Sequence, residues 1–287
     1  MFDVNKMDDN FYLNFDDTFW LNKATIIEQL VDDEELKKKF GLDGNKNSDF
    51  LLKDLYMTKV HCCETLLRVF IVVNKHHLHP LIPLISIPSW KFNAEIKKIT
   101  KSGIDTYLDS DKKLKDLFYP YTFSGSKDLE GLNLSLNFIK TAIELIANDY
   151  VEHKYYNALK HGFHGSTISD FSLSMNDPKT GKDLQVGKSD KMITWFELES
   201  DEILIECNSA NSTQRDMNII KIASSILSQL FNSQRAQIKK EDVHVVFFTK
   251  EALDNLKKLF RITEYGSTMI NFKSKFSIKI PKELFEL

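Results

Sequence analysis

Residues 132–161 read LNLSLNFIKTAIELIANDYVEHKYYNALKH, and this stretch decides the predicted architecture because it contains neither proline nor glycine. Its apolar residues Ile139, Ile143 and Ile146 recur at the spacing that places side chains on one face of a helix. The pattern predicts one long helix that faces the protein interior and ends at Gly162.

The same helix face turns polar towards its end. Tyr150 continues the apolar stripe, and His153, Asn157 and His161 follow at the same spacing, with Lys160 beside them. A surface helix normally turns such groups to solvent, so the sequence predicts that they face a cleft, a partner subunit or a polar network. The alternative is an ordinary hydrogen-bonded network at the end of a core helix.

His161 has the chemistry of a proton shuttle. The unpaired carbonyl groups at the predicted helix end favour its charged form, and an imidazole that titrates near neutral pH serves as a general acid or base. Lys160 beside it supplies a cation that can hold a phosphate group.

The segment 155–162, YYNALKHG, resembles the signature helix of the HEPN (higher eukaryotes and prokaryotes nucleotide-binding) superfamily. That motif is an Arg, often followed by Asn or Asp, and then a His after four to six intervening residues. Here Asn157 and His161 match the polar residue and the His, whereas Tyr156 occupies the Arg position. The resemblance covers about thirty residues and a plan of two long helices across residues 50–165.

The resemblance implies an all-α bundle of the kind found in prokaryotic defence and toxin systems, often working as a homodimer. Such a domain is either a metal-independent endoribonuclease or a non-catalytic interaction or RNA-binding module, and the missing Arg favours the second. In the enzyme, His161 would act as general acid or base on the ribose 2′-OH or the leaving oxygen, Asn157 would orient it, and Lys160 would stabilise charge on phosphorus. The further residues predicted to bind substrate are Arg68, His153 and Tyr156. No cofactor or metal ion is implied.

The chain around this helix predicts an α+β fold. Residues 51–74 form a first long helix that is apolar on two faces, which is typical of a central helix. Beyond it, residues 213–238 read as a helix among segments with the alternating pattern of strands. We therefore expect a helical HEPN-like domain over residues 1–165 and a smaller sheet-and-helix domain of unknown role over 166–287.

Composition restricts the partners and the compartment. The formal net charge of −3 excludes a protein that coats nucleic acid by bulk positive charge, so an RNA contact would need a local basic patch. The acidic start lacks a secretory signal, and the apolar runs fall short of the ~20 residues that span a bilayer. Three cysteines without a CxxC pair are typical of a reducing compartment. We expect a cytoplasmic protein with RNA or protein partners and no membrane.

Three weaker patterns each have a simpler structural explanation. A histidine cluster could bind metal, an acidic set could belong to a metal-dependent nuclease, and a row of lysines could contact phosphates. Polar helix ends and solvated strand edges explain the same residues with fewer assumptions. These sets are His76, His77 and His79; Asp183, Glu197 and Glu199; and Lys273, Lys275, Lys279 and Lys282.

Overall fold

Helices dominate the fold of this chain. A computed structural model describes residues 4–42, 45–75, 80–108, 110–119, 129–152, 165–176, 180–181, 183–199, 202–209, 213–241, 247–260 and 274–279. Of the residues whose side chains the structure describes, 87% lie in helices and none lies in a strand.

The helices of the described residues follow one another with short connections. They are α1 (Val4–Asn14), α2 (Phe19–Asp32), α3 (Glu34–Lys39), α4 (Asn45–Lys75), α5 (Leu81–Ser86), α6 (Ser89–Ser102), α7 (Ile104–Leu108), α8 (Asp111–Phe118), α9 (Leu129–Glu152), α10 (Thr213–Lys239) and α11 (Lys250–Leu259). The two long helices predicted before residue 165 correspond to α4 and α9, although residues 153–161 of the second lie outside the described residues.

Local sequence signals set the boundaries of α3. Asp33 has an extended backbone and separates α3 from α2, and its carboxylate accepts a hydrogen bond from the Leu36 amide at 2.9 Å. At the other end Gly41 has a positive φ of 66°, and the Leu42 amide donates to the Lys37 carbonyl at 2.8 Å. This closure explains why glycine follows the helix, because a left-handed backbone is costly for other residues.

The core is built around α4, as its two apolar faces predict. Cys63 and Phe70 on one face and Ile71 on the other are buried. Helices α2, α9 and α10 pack against α4 and contribute to a single hydrophobic cluster. Burial on both sides makes α4 the central element and places its polar residues next to several other helices.

The N-terminal segment is helical over Val4–Asn14. Helix α1 packs against α10, and Phe15 stacks on Phe231 with ring centroids 4.3 Å apart. Arg235 fixes the chain that follows α1, since its guanidinium donates to the Tyr12 carbonyl at 3.0 Å and to Asp17 at 2.6 Å.

The backbone of the remaining described segments forms a four-stranded antiparallel meander in the order β1-β2-β3-β4. In its register Trp195 pairs with Glu206, and Ile205 pairs with Phe276. The strands are β1 (Gly165–Asn176), β2 (Asp183–Glu199), β3 (Glu202–Ser209) and β4 (Ser274–Lys279).

The predicted α+β class is wrong, because 87% of the residues whose side chains the structure describes lie in helices and none of these residues lies in a strand. Helix α10, which we expected in the sheet-and-helix part, is buried against α4 and α2, and α11 packs against α9. An apolar stripe at helical spacing indicates which face of a helix is buried, but it does not indicate whether a sheet or another helix covers that face. The domain division near residue 165 stays a prediction.

Candidate functional site

Arg68 is the one predicted site residue that the structure describes. The other five lie outside the described residues: His153, Tyr156, Asn157, Lys160 and His161. The described part of the candidate site therefore consists of the surroundings of Arg68 and the last turns of α9, where the chain approaches the predicted segment.

The inward face of α9 is confirmed over the turns that the structure describes. Ile139, Ile143 and Ile146 are completely buried, and Tyr150 packs against the core while partly exposed. Asp149, one residue before Tyr150, is also buried. The face that is apolar in the middle of α9 thus becomes polar and ionisable within its last turns, before the predicted segment begins.

Arg68 extends from α4 towards this end of α9. Its Nε donates to Glu64 Oε1 at 2.7 Å, the pairing that an i,i+4 spacing on a helix favours. Its guanidinium lies 4.3 Å from the centroid of the Phe92 ring, and Phe92 meets the Tyr150 ring edge-on with centroids 5.7 Å apart. Arg68 is therefore a partnered cation near the end of α9, held by a carboxylate and an aromatic face.

A buried ion cluster, formed by Lys59, Asp149, Arg215 and Asp216, joins the same part of α9 to α4 and α10. The Lys59 side chain has no exposed surface, and its Nζ lies 3.1 Å from Asp216 Oδ1 and 3.4 Å from Asp149 Oδ2. Arg215 Nη2 donates to Asp149 Oδ1 at 2.5 Å. Because two cations face two carboxylates, the cluster is formally neutral, as a buried charged group requires.

Arg215 also connects the cluster to the end of α11. Its Nε donates to the Phe260 carbonyl at 2.9 Å, next to the last residue of α11. The side chain therefore ties α9, α10 and α11 together through one guanidinium, whose planar set of donors suits two acceptors at once. Asp149 at the end of α9 is thus held by Arg215 through Oδ1 and lies 3.4 Å from Lys59 through Oδ2.

Three side chains of α4 near Lys59 in the sequence, Tyr56, Cys62 and Cys63, favour their neutral forms. Burial, with the carboxylates of Asp216 and Asp149, raises the pKa of Tyr56 well above its ordinary value. Burial likewise raises the pKa of the Cys63 thiol, and it raises the pKa of Cys62 to about 12 despite a hydrogen bond with Ser224. A thiol in this state is a poor nucleophile, so these cysteines are structural.

The cluster suits a structural role better than a chemical one. Its charges compensate one another, and its cations are engaged with carboxylates and a backbone carbonyl. Sequence analysis missed it, although one signal was present: Lys59 lies within a helix that is apolar on two faces. A charge at such a position predicts a buried partner, but the sequence does not identify that partner.

The weaker sequence patterns gain no support. The histidine cluster lies outside the described residues, and the acidic set lies in strands whose side chains are not described. Within the described part of the chain, no three His, Cys, Asp or Glu side chains are grouped so that they could hold a metal ion.

Comparisons with models of protein families, with curated proteins and with solved structures find no match for this chain. None of the helices in the described ranges combines the length and the hydropathy that a bilayer-spanning segment needs.

Proposed function

We propose that the protein is a non-catalytic, HEPN-like interaction module of a cytoplasmic prokaryotic defence or toxin-type protein, and that it binds RNA or a partner protein. Three features support the proposal: two long helices in mutual contact, an inward face that turns polar at the end of α9, and the segment 155–162 that follows. Tyr156 at the Arg position of the motif favours binding over cleavage.

The contacts of Arg68 favour a binding function over a catalytic one. A guanidinium that stabilises a phosphoryl transition state must be available to the developing charge. The Nε of Arg68 is already used by Glu64, and its guanidinium face covers Phe92. Arg68 therefore makes a weak substitute for the missing motif Arg, and we infer a site that holds a ligand without transforming it.

The alternative is a metal-independent endoribonuclease with His161 as general acid or base. One observation favours it: Arg68 reaches the Phe92–Tyr150 pair at the end of α9, so a cation lies close to where the predicted segment begins. In this alternative Asn157 and Lys160 orient the imidazole and hold the phosphate, and His153 and Tyr156 contact the substrate. Two copies of the module in a homodimer would provide two such sets.

The test compares the full chain with its His161→Ala variant on a mixed RNA pool in the presence of EDTA. We expect intact RNA with both proteins and retarded migration of RNA on a native gel. Cleavage by the unmodified protein that His161→Ala abolishes would replace the proposal by the endoribonuclease alternative. Intact RNA that neither protein retards would remove RNA as the ligand and leave only a protein partner.

A further inference from the structure

Helix α6 presents a basic ridge to solvent. Trp90, Lys97 and Lys101 follow one another at i, i+7 and i+11, the spacing of one helix face, and all three are exposed. The opposite face is buried in the core through Phe92 and Ile96. The orientation of α6 is therefore fixed, and the α6 ridge, defined as Trp90, Lys97 and Lys101, points away from the protein.

The charge of the α6 ridge is uncompensated within the described residues. The nearest acid in sequence, Glu95, is engaged by Lys98 at 2.8 Å and by Lys75 at 2.5 Å. Neither Lys97 nor Lys101 forms an ion pair with any described residue. In a chain with a net charge of −3, contact with a polyanion needs a local positive patch, and the α6 ridge is one such patch among the described residues.

Trp90 adds an aromatic platform to these charges. The residue is 69% exposed, which is unusual for a tryptophan, because this residue type normally buries most of its surface. The Lys91 ammonium lies 5.3 Å from the ring centroid and adds a further cation to this end. An exposed indole can stack on any nucleic-acid base, because every base offers a π face.

We propose that the α6 ridge binds single-stranded RNA, with a base stacked on Trp90 and phosphates paired with Lys97 and Lys101. Trp90 and Lys101 are separated by about 16 Å along the helix axis, since each residue rises ~1.5 Å. At ~3.4 Å per stacked nucleotide this length matches about five nucleotides. The inference rests on the RNA-binding form of the proposed function, but it uses residues of α6 and none of segment 155–162.

An anionic membrane is the alternative ligand for these charges, and the burial of the apolar face of α6 argues against membrane binding. Helices that bind a bilayer surface insert their apolar face among the lipids. The apolar face of α6 is occupied by the protein core, so the helix offers a lipid surface only one ring and several charges. Stacking and phosphate pairing use both features, whereas insertion into lipid uses the ring alone.

The test measures the binding of a fluorescein-labelled oligouridine of about 16 nucleotides by fluorescence anisotropy over a range of salt concentrations. Trp90→Ala should weaken binding roughly 5- to 150-fold, because one stacked base is lost. Lys97→Gln combined with Lys101→Gln should reduce the slope of log K against log salt by about 1.4, because two phosphate contacts are lost. The matched control neutralises Lys38 and Lys39, two exposed lysines of α3, and should bind like the unmodified protein.

Each outcome decides between the two proposals. If the unmodified chain binds the oligouridine and the α6 variants bind equally well, the α6 ridge is not the site, and the proposed function stands. If the unmodified chain does not bind RNA, the α6 proposal and the RNA form of the proposed function both fail. Binding to phosphatidylserine vesicles, but not to RNA, that the α6 variants abolish would assign the ridge to lipid. Far-UV circular dichroism should show unchanged helicity, because all the substituted side chains are exposed.

Discussion

Replacing Lys59 by methionine removes the cation that faces two buried carboxylates while keeping an unbranched side chain of similar length. In the folded protein Lys59 Nζ lies 3.1 Å from Asp216 and 3.4 Å from Asp149. Asp149 retains Arg215 in the variant, so Asp216 is the carboxylate that loses its ion-pair partner in the cluster. We expect the variant to fold less stably for this reason.

The size of the effect follows from the two distances. At an effective dielectric constant of ~20, each contact contributes about 5 kcal/mol of attraction. Most of this is offset by the several kcal/mol needed to remove an ammonium ion from water. Breaking one partner of a buried pair nevertheless costs ~3–5 kcal/mol, because the remaining carboxylate keeps its desolvation penalty. We expect Lys59→Met to lower the free energy of unfolding by that amount.

Urea denaturation followed by circular dichroism at 222 nm measures the change. With an m-value of about 3 kcal/mol/M, the midpoint should fall by ~1–2 M. Adding Asp216→Asn to Lys59→Met should recover at least half of the loss, because the unpaired charge is removed. The control is Lys53→Met on the same helix, which lies at a partly exposed position and should change stability by at most ~0.5 kcal/mol. A Lys59→Met midpoint equal to that of the control would refute the reasoning, as would a double variant no more stable than the single one.

Three further predictions concern the core and its ionisable groups. Iodoacetamide at pH 8 should leave Cys62 and Cys63 unlabelled in the folded protein, because burial raises the pKa of both thiols. In urea the same reagent should label both cysteines, and peptide mass spectrometry measures the labelling. Rapid labelling of the two thiols in the native protein would contradict this prediction. Burial opposes ionisation of Glu95, but hydrogen bonds from lysines outweigh the effect of burial and lower the pKa of Glu95 below 4.5 in the folded protein. The ionised carboxylate therefore stabilises the folded protein above pH 4.5, and this stabilisation is lost as the pH falls through the pKa of the folded state. Glu95→Gln should therefore lower the thermal midpoint at pH 7 and converge with the parent in acid, whereas a constant difference across the titration would be evidence against the linkage. Ile143→Ala should cost ~2–5 kcal/mol in urea denaturation, because the side chain is completely buried, and Asn148→Ala on the exposed side of the helix serves as its control.

Several features of the molecule could be predicted because they depend on neighbours in the sequence. The spacing of Ile139, Ile143 and Ile146 identified the buried face of α9, since helix periodicity alone determines which side chains share a face. The i,i+4 spacing of Glu64 and Arg68 on one helix favours the ion pair that the structure contains. Interactions of this range need no knowledge of the rest of the fold.

Other features depend on partners that are far apart in the sequence. The stripe of α10 predicts a buried face equally well for a sheet or for a helix as its neighbour, and this ambiguity is why α10 was expected in the sheet-and-helix part and not in the helical core. The buried ion cluster brings together residue 59, residue 149 and residues 215–216 from three helices. No local pattern specifies that meeting, because the helices can associate in several ways that bury the same faces.

The sequence by itself determined which face of α9 avoids water and that α4 is buried on two faces, because both follow from the spacing of apolar residues along a helix. Only the tertiary structure decided that α10 joins α4 in the core, that Lys59 lies between Asp149 and Asp216, and that Arg68 meets Phe92 beside Tyr150. The physical reason is range: helix periodicity and capping act between residues a few positions apart, whereas burial and charge compensation depend on which distant surfaces meet.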